Sequence, residues 1–341
     1  MGTSGGPSGR RADVVDAQLV TDAYTILLGR PPENAEAISL WQGATSSRRD
    51  LVRKFLASDE FLGASADLLP NFGGQADKPS APPIASAPPM RVEWDVAGPK
   101  AERLLGMVAA TWSQLGETKP HWSVLSDADF LPEQIEANRA DFYASGAADV
   151  ALIEGVLRRH GRALADFPVC MEFGVGVGRV TRHLAGKVQR LLGCDISPSH
   201  LALAREALDE ARAANAELVQ ATVGNAFGME TPFDFWFSRI VLQHNPPPVI
   251  AMILRQTFAR LKPGGLALFQ VPTYAVGYAF QVDRYLDDPG ASQGIEMHCL
   301  PQQAVFQIAA EAGCVPLEIR EDNDTGHPSV IVSNTFLFGK R

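Results

Sequence analysis

Glu172 stands two residues ahead of three glycines at alternate positions, Gly174, Gly176 and Gly178, with Arg179 directly after them. The apolar run Val169 to Phe173 reads as a buried strand, and Val180, Leu184 and Val188 recur at helical spacing. A strand, a tight turn and a helix are expected. Glycine lets such a turn take φ > 0 and lets a ligand approach the main chain, while the helix behind it offers unpaired N–H groups. The carboxylate narrows the choice of ligand. An anion at that place repels a pyrophosphate but pairs with the ammonium of an aminoacyl-type ligand. The G-x-G-x-G spacing, continued by Arg179 and Val180, also departs from the G-x-G-x-x-G of dinucleotide sites.

A second carboxylate is placed by the next elements. Leu191 to Asp195 predicts a strand, Ser197 and Pro198 a helix cap and first helical position, and Leu201, Ala204, Leu208 and Ala211 a buried stripe. Asp195 then lies at the C-terminal end of its strand beside the glycine turn, where a carboxylate can accept bonds from both hydroxyls of a ribose. Further strands are expected at Leu218 to Val223, Phe233 to Ser238, Leu266 to Val271, Val315 to Arg320 and Asn334 to Phe338. Between them, a helix from Pro246 to Leu261 ends in a Lys262-Pro263-Gly264-Gly265 turn, and another runs from Pro301 to Gly313. Strand–helix alternation of this kind predicts an α/β fold, a doubly wound, Rossmann-like sheet of seven strands.

The acid followed by G-x-G-x-G, together with "LKPGG" before the fifth strand, resembles the class I S-adenosylmethionine-dependent methyltransferases over roughly the last two thirds of the chain. The resemblance implies a sheet that ends in an antiparallel hairpin and S-adenosyl-L-methionine as cofactor. Carried over residue by residue, it implies cofactor contacts at Glu172, Gly174, Gly176, Gly178, Asp195 and Ile196, and at Ser238 against the methionine part. Asn225, followed by Ala226, stands where the family usually has an aspartate bonding the adenine amino group; an amide oxygen can still accept that bond. The helical segment 96–162 corresponds to the family's lid, and Trp112 to Gly116 with Trp122 to Leu125 look like the lead-in of a group of bacterial methyltransferases. Tyr143 or Trp122 is expected to offer an aromatic face to the sulfonium.

The N-terminal part reads separately. After a glycine- and serine-rich stretch, 1–13, residues 14–68 predict a small all-α domain: a helix from Val14 to Leu28, a second with Ala37, Leu40 and Trp41 inside, and a third with Leu51, Val52, Phe55 and Leu56. "LLGRPP", Trp41 and "FLASDEF" resemble a helical domain of unknown function found beside bacterial glycosyltransferases, which implies an interaction module and a protein partner. Proline, alanine and serine dominate 69–95, the composition of a semi-stiff linker. The methyltransferase-like domain is expected to occupy 96–341.

Composition excludes more than it assigns. The 341 residues carry a formal net charge of −9, which argues against a nucleic-acid partner. The N-terminus lacks the apolar core of a signal peptide, and no run suggests a membrane span, so the cytoplasm is the expected location. Four cysteines, Cys170, Cys194, Cys299 and Cys314, form no C-x-x-C pair. Methyl transfer from a sulfonium is an in-line displacement needing alignment and a dry site, and a hydroxyl acceptor must also lose a proton. His298, at the end of an aromatic and acidic insertion from Tyr274, and His244, after the fourth strand, are the candidate bases. That insertion is expected to wall the acceptor pocket. Asp287, Asp288 and Glu296 read as solvated loop acids, and no metal is expected. The expected acceptor is a sugar or glycan precursor, with a lipid or other small molecule as the alternative acceptor, and a non-catalytic cofactor-binding or interaction protein as a second alternative.

Overall fold

The computed structural model describes residues 15–28, 30–45, 47–56, 58, 87–222, 230–327 and 329–341. Contacts divide the chain into two compact units, within 1–82 and within 83–341. Several expectations fall outside the described residues: 1–13, the linker as far as residue 86, most of "FLASDEF", Val223, Asn225 and Ala226.

The first unit contains α1 (Ala17–Leu28), α2 (Ala35–Ala44) and α3 (Arg48–Leu56). Asn34 caps α2 by accepting from the Ala37 N–H. Its core holds Val20, Tyr24, Leu51 and Phe55. Trp41 stacks on Phe55 at 4.2 Å and donates its indole N–H to the Tyr24 hydroxyl at 3.1 Å. The aromatic positions of the motif thus form one cluster. Leu40, expected on the buried side of α2, is instead 73% exposed, because Ile38 and Trp41 supply that helix's contact with the core.

The second unit is built on one seven-stranded sheet: β2 (Val169–Phe173), β3 (Arg190–Asp195), β4 (Ala216–Gln220), β5 (Phe233–Ser238), β6 (Leu261–Ala275), β8 (Cys314–Asp322) and β9 (Ile331–Lys340). Its order is β4-β3-β2-β5-β6-β9-β8, parallel from β4 to β6, with β9 antiparallel to both neighbours. This is the doubly wound fold with a terminal antiparallel hairpin. Side chains alternate between two cores, as the two-residue period of a strand requires. Met171, Trp236 and Phe269 join α4 (Pro99–Thr118), α10 (Pro247–Arg260) and α12 (Gln302–Glu311) on one face. Cys170, Phe235 and Leu268 join α7 (Gly146–Arg159) on the other. The remaining helices are α5 (Pro120–Val124), α6 (Ile135–Ala144), α8 (Thr181–Leu184), α9 (Pro198–Glu210) and α11 (Val282–Asp287). No helix among the described residues is long and apolar enough to cross a membrane.

Three expectations change in detail. The helix after the glycines is a single turn, α8, followed by a 3-10 turn, and Val188 is already extended. Lys262 to Gly265 form a bulge inside β6 rather than a free turn: Phe233 pairs with Leu261 and Phe235 with Leu266. Gly265 is forced there by crowding, since a Cβ would stand 2.7 Å from the Asp234 carbonyl oxygen. The end of the expected linker is also structured. Arg91–Val92 (β1) pair with Ala279–Phe280 (β7), Tyr274 donates to the Pro88 carbonyl at 2.9 Å, and Glu93 accepts from the Val282 N–H at 2.8 Å.

Candidate active site

A cavity, partly open to solvent, lies at the carboxyl ends of β2, β3 and β5. Parallel sheets bind ligands there because strand ends and helix N-termini converge. Glu172, Gly174, Gly176, Asp195 and Ile196 line it.

The glycine turn is shaped by backbone and by crowding. Gly174 and Gly176 have φ of +78° and +52°, and a Cβ on Gly174 would come within 2.5 Å of both Val241 methyl groups. Gly178 (φ +80°) does not line the cavity; it lets the turn pack on α9, where a Cβ would stand 3.0 Å from the Ala204 Cα. Asp195 fixes the turn from the next strand. One carboxylate oxygen accepts from the Gly176 N–H at 2.8 Å and the other from the Ser197 N–H at 2.9 Å. A carboxylate has about four acceptor sites, so two such bonds leave capacity for a pair of ligand hydroxyls.

Glu172 is 4% exposed, and its Oε2 has no hydrogen-bond partner among the described residues. Burial pushes its carboxyl up to about 8, against the pull of the Thr181 hydroxyl and the Arg179 guanidinium. Around it lies a charge network that sequence reasoning did not identify. Asp149 is buried and pairs with Arg179 at 2.8 Å and with Arg239, and Arg239 forms a two-pronged pair with Asp324 at 2.6 and 2.8 Å. Asp149, Arg179 and Arg239 all line the cavity, and Arg179 Nε has no partner among the described residues. Arg179 was visible as the residue after the last glycine, but nothing local marks Asp149 or Arg239, whose partners lie 90 and 85 positions apart in the chain. The remaining wall is largely apolar: Leu105, Val108 and Trp112 from α4, with Val241 and Ile253 opposite.

Other expected site residues lie elsewhere. Ser238 is 1% exposed and donates to the Phe173 carbonyl at 3.1 Å, tying β5 to β2 instead of lining the cavity. Tyr143 packs behind the glycine turn, its hydroxyl donating to the Val177 carbonyl at 3.3 Å and its ring flanked by Arg139 and Arg182. Trp122 stands under the Lys119 ammonium, outside the lining. Trp112 lines the cavity instead, as do Phe173 and Phe237.

Both candidate histidines are engaged outside the lining. His298 is 6% exposed; Nε2 meets Glu296 at 3.0 Å and Nδ1 meets the Tyr278 hydroxyl at 2.9 Å. Burial works to raise the Glu296 carboxyl, but hydrogen bonds from His298, Tyr285 and the Ser292 N–H hold it down at about 2. Its charge therefore requires the proton on Nε2 and leaves Nδ1 to accept from Tyr278 in the neutral ring. His244 contacts the Glu296 carbonyl through Nδ1 at 2.8 Å, packs 5.6 Å from Trp112, and is shifted down by burial. The insertion accordingly backs the cavity wall without forming it: Thr111 of α4 bonds Ser292, with the two hydroxyls 2.8 Å apart. No group of three or more metal-ligating side chains occurs among the described residues.

Residues 170–265 match the family model described as a methyltransferase domain. No relative was found among curated protein sequences. Among solved structures, the magnesium protoporphyrin IX methyltransferase of Synechocystis PCC 6803 with bound S-adenosylhomocysteine is 16% identical, covering 70% of this chain and 100% of its own (TM-score 0.49). The N-methyltransferase NodS of Bradyrhizobium japonicum WM9 is 16% identical, covering 67% and 97% (TM-score 0.42). The 1,6-didemethyltoxoflavin-N1-methyltransferase of Burkholderia thailandensis is 17% identical, covering 73% and 93% (TM-score 0.44). The matched domain spans the glycine turn, Asp195 and the bulge of β6, and the chain is an enzyme, a methyltransferase.

Proposed function

We propose that the cavity transfers the methyl group of S-adenosylmethionine to an oxygen of a small acceptor, a sugar or glycan precursor in the first reading. The carrying observation is the pair of opposite, incompletely bonded groups at one end of the cavity, Glu172 Oε2 and Arg179 Nε. A carboxylate beside a guanidinium complements the ammonium and carboxylate of the cofactor's amino-acid part. Asp195 then takes the ribose hydroxyls, and Ile196, with Asn225 and Ala226, the adenine. The cofactor supplies the activated methyl group. The chain orients it, and the apolar wall around Trp112 keeps water from the displacement.

The glycan reading is supported by the N-terminal motif resemblance, which also makes residues 14–68 a proposed interaction module. The cavity itself favours the second reading, an apolar small molecule or lipid, since Leu105, Val108, Trp112, Val241 and Ile253 offer an acceptor little to hydrogen-bond. Labelled methyl transfer to sugar-nucleotide and to lipid panels separates the two. If His298 takes the acceptor proton, it does so by way of Tyr278, which occupies its Nδ1. His298→Asn is then expected to lower kcat by about 100-fold with S-adenosylhomocysteine affinity unchanged, a typical loss for a general base. An unchanged kcat would make the histidine a strut of the insertion.

Cofactor binding carries its own pH signature. The Glu172 carboxyl of the cofactor-free protein holds its proton up to about pH 8, and a bound ammonium favours the ionised form, so binding releases a proton. Affinity for S-adenosylhomocysteine should therefore rise from about pH 6 to about pH 8. Glu172→Gln should bind more weakly and lose this rise. Calorimetry in buffers of different ionisation enthalpy counts the proton directly, and a flat native profile would place the ammonium elsewhere.

A further inference from the structure

We infer that Gln270, which does not line the cavity, is a positioning residue that holds a strained turn under the cofactor; the inference rests on the reading that the cavity takes S-adenosylmethionine. Ile240 lines the cavity with φ of +56°. A β-branched residue is a genuine outlier there, and such conformations persist only where the surroundings over-determine them.

The surroundings here are one buried amide. Gln270, in the middle of β6 and 1% exposed, accepts the Ile240 N–H on Oε1 at 3.0 Å. Its Nε2 donates to Gln243 Oε1 at 3.0 Å and to Ser333 Oγ of β9 at 2.7 Å. Both amide hydrogens and the oxygen are thus used, which fixes the orientation of the group. Gln243 is itself 2% exposed, and its carbonyl accepts the His298 N–H at 2.7 Å. The amide joins β6, β9, the turn after β5 and the end of the insertion.

What the turn presents explains why its shape matters. On one side of Ile240 is Arg239, which bridges Asp149 and Asp324 at the charged end of the cavity. On the other is Val241, whose methyl groups occupy the space that the absent Cβ of Gly174 leaves. If Ile240 relaxed to negative φ, the chain direction would change between these two contacts, moving Arg239 and Val241 relative to the glycine turn. Gln270 therefore acts on the cofactor through Ile240, without touching it.

The test is a cycle on the full chain with S-adenosylhomocysteine as the calorimetric probe. Gln270→Leu should lower affinity about tenfold, and adding Ile240→Gly, which accepts φ > 0 without strain, should return it to within about threefold of the Ile240→Gly single variant. A merely structural loss of packing would not be rescued this way, because glycine restores none of the lost contacts. Equal weakness in Gln270→Leu and the double variant, or native affinity in Gln270→Leu, overturns the inference. Should Gln270→Leu not fold, Ser333→Ala removes one of the two acceptors that orient the amide. A twofold to fivefold loss that Ile240→Gly abolishes is then the supporting result, and no loss overturns it. Hydrogen exchange at the Ile240 amide tests the lock without cofactor. Protection in the native chain, lost in Gln270→Leu or Ser333→Ala, supports the inference even if the native chain fails to bind the probe, whereas unchanged exchange overturns it.

Discussion

Asp195→Ala is expected to weaken S-adenosylhomocysteine binding by tenfold or more, on the order of 1.4 kcal/mol. Two losses contribute. On the proposed ribose contact the ligand hydroxyls lose an acceptor, and the Gly176 and Ser197 N–H groups lose theirs. Ser197 is fully buried, and a buried donor left without a partner costs about 1 to 3 kcal/mol. The variant should therefore be less stable as well as weaker in binding. Asp195→Asn separates the effects, since its amide oxygen still accepts one backbone bond while its charge and half its acceptor capacity are gone. A melting temperature closer to native with affinity still reduced would assign the binding loss to the hydroxyl contacts. Native affinity in both variants would remove the ribose from this position.

Gly146→Ala should be among the most damaging single-carbon additions in the second unit. A Cβ there would stand 2.0 Å from the Arg179 carbonyl oxygen and 2.7 Å from its carbonyl carbon, both backbone atoms with little freedom to withdraw. Overpacking of this kind costs about 1 to 3 kcal/mol, and each kcal/mol lowers Tm by roughly 2 to 4 °C in a unit of this size. Arg179 is also a cavity residue, so displacing its main chain should weaken S-adenosylhomocysteine binding in the protein that remains folded. Gly186→Ala, where a Cβ meets nothing within 4 Å, is the matched control and should leave both quantities near native. Equal Tm in the two variants would mean that α7 slides away from the turn at no cost.

What the sequence made legible follows from range. Glu172, the glycine turn and Asp195 are each specified by neighbours within a few positions, through strand periodicity, φ requirements and a helix cap, so both their elements and their convergence could be read. The one-turn α8 could not: Val180, Leu184 and Val188 keep helical spacing although only Thr181–Leu184 are helical, because a short 3-10 turn carries a similar period. The family resemblance points to Ser238 as a ligand contact, and an aromatic ring in the lid segment points to Tyr143. In the fold, Tyr143 packs behind the glycine turn and Ser238 bonds the neighbouring strand. Trp112 and Trp122 show the same limit from the other side: both sit in the lid segment, and only its packing, which spacing does not reveal, puts Trp112 at the cavity and Trp122 under Lys119. The Asp149–Arg239–Asp324 chain was invisible because a charge pair has no periodicity to betray it.

The position of β9 between β6 and β8 has a consequence for how the enzyme is made. A ribosome delivers β8 before the strand it must pair with, so until Ile331–Lys340 emerge, β8 lacks its sheet neighbour and β6 presents an open edge. Asp324, in the connection between those strands, then has no fixed place, and Arg239 pairs with Asp149 alone. A nascent chain stalled before β9 would hold the glycine turn and Asp195 yet lack Ser333, one of the two acceptors of the Gln270 amide. Competence to bind the methyl donor is thereby coupled to late, sequence-distant strand pairing, which topology makes the slow kind.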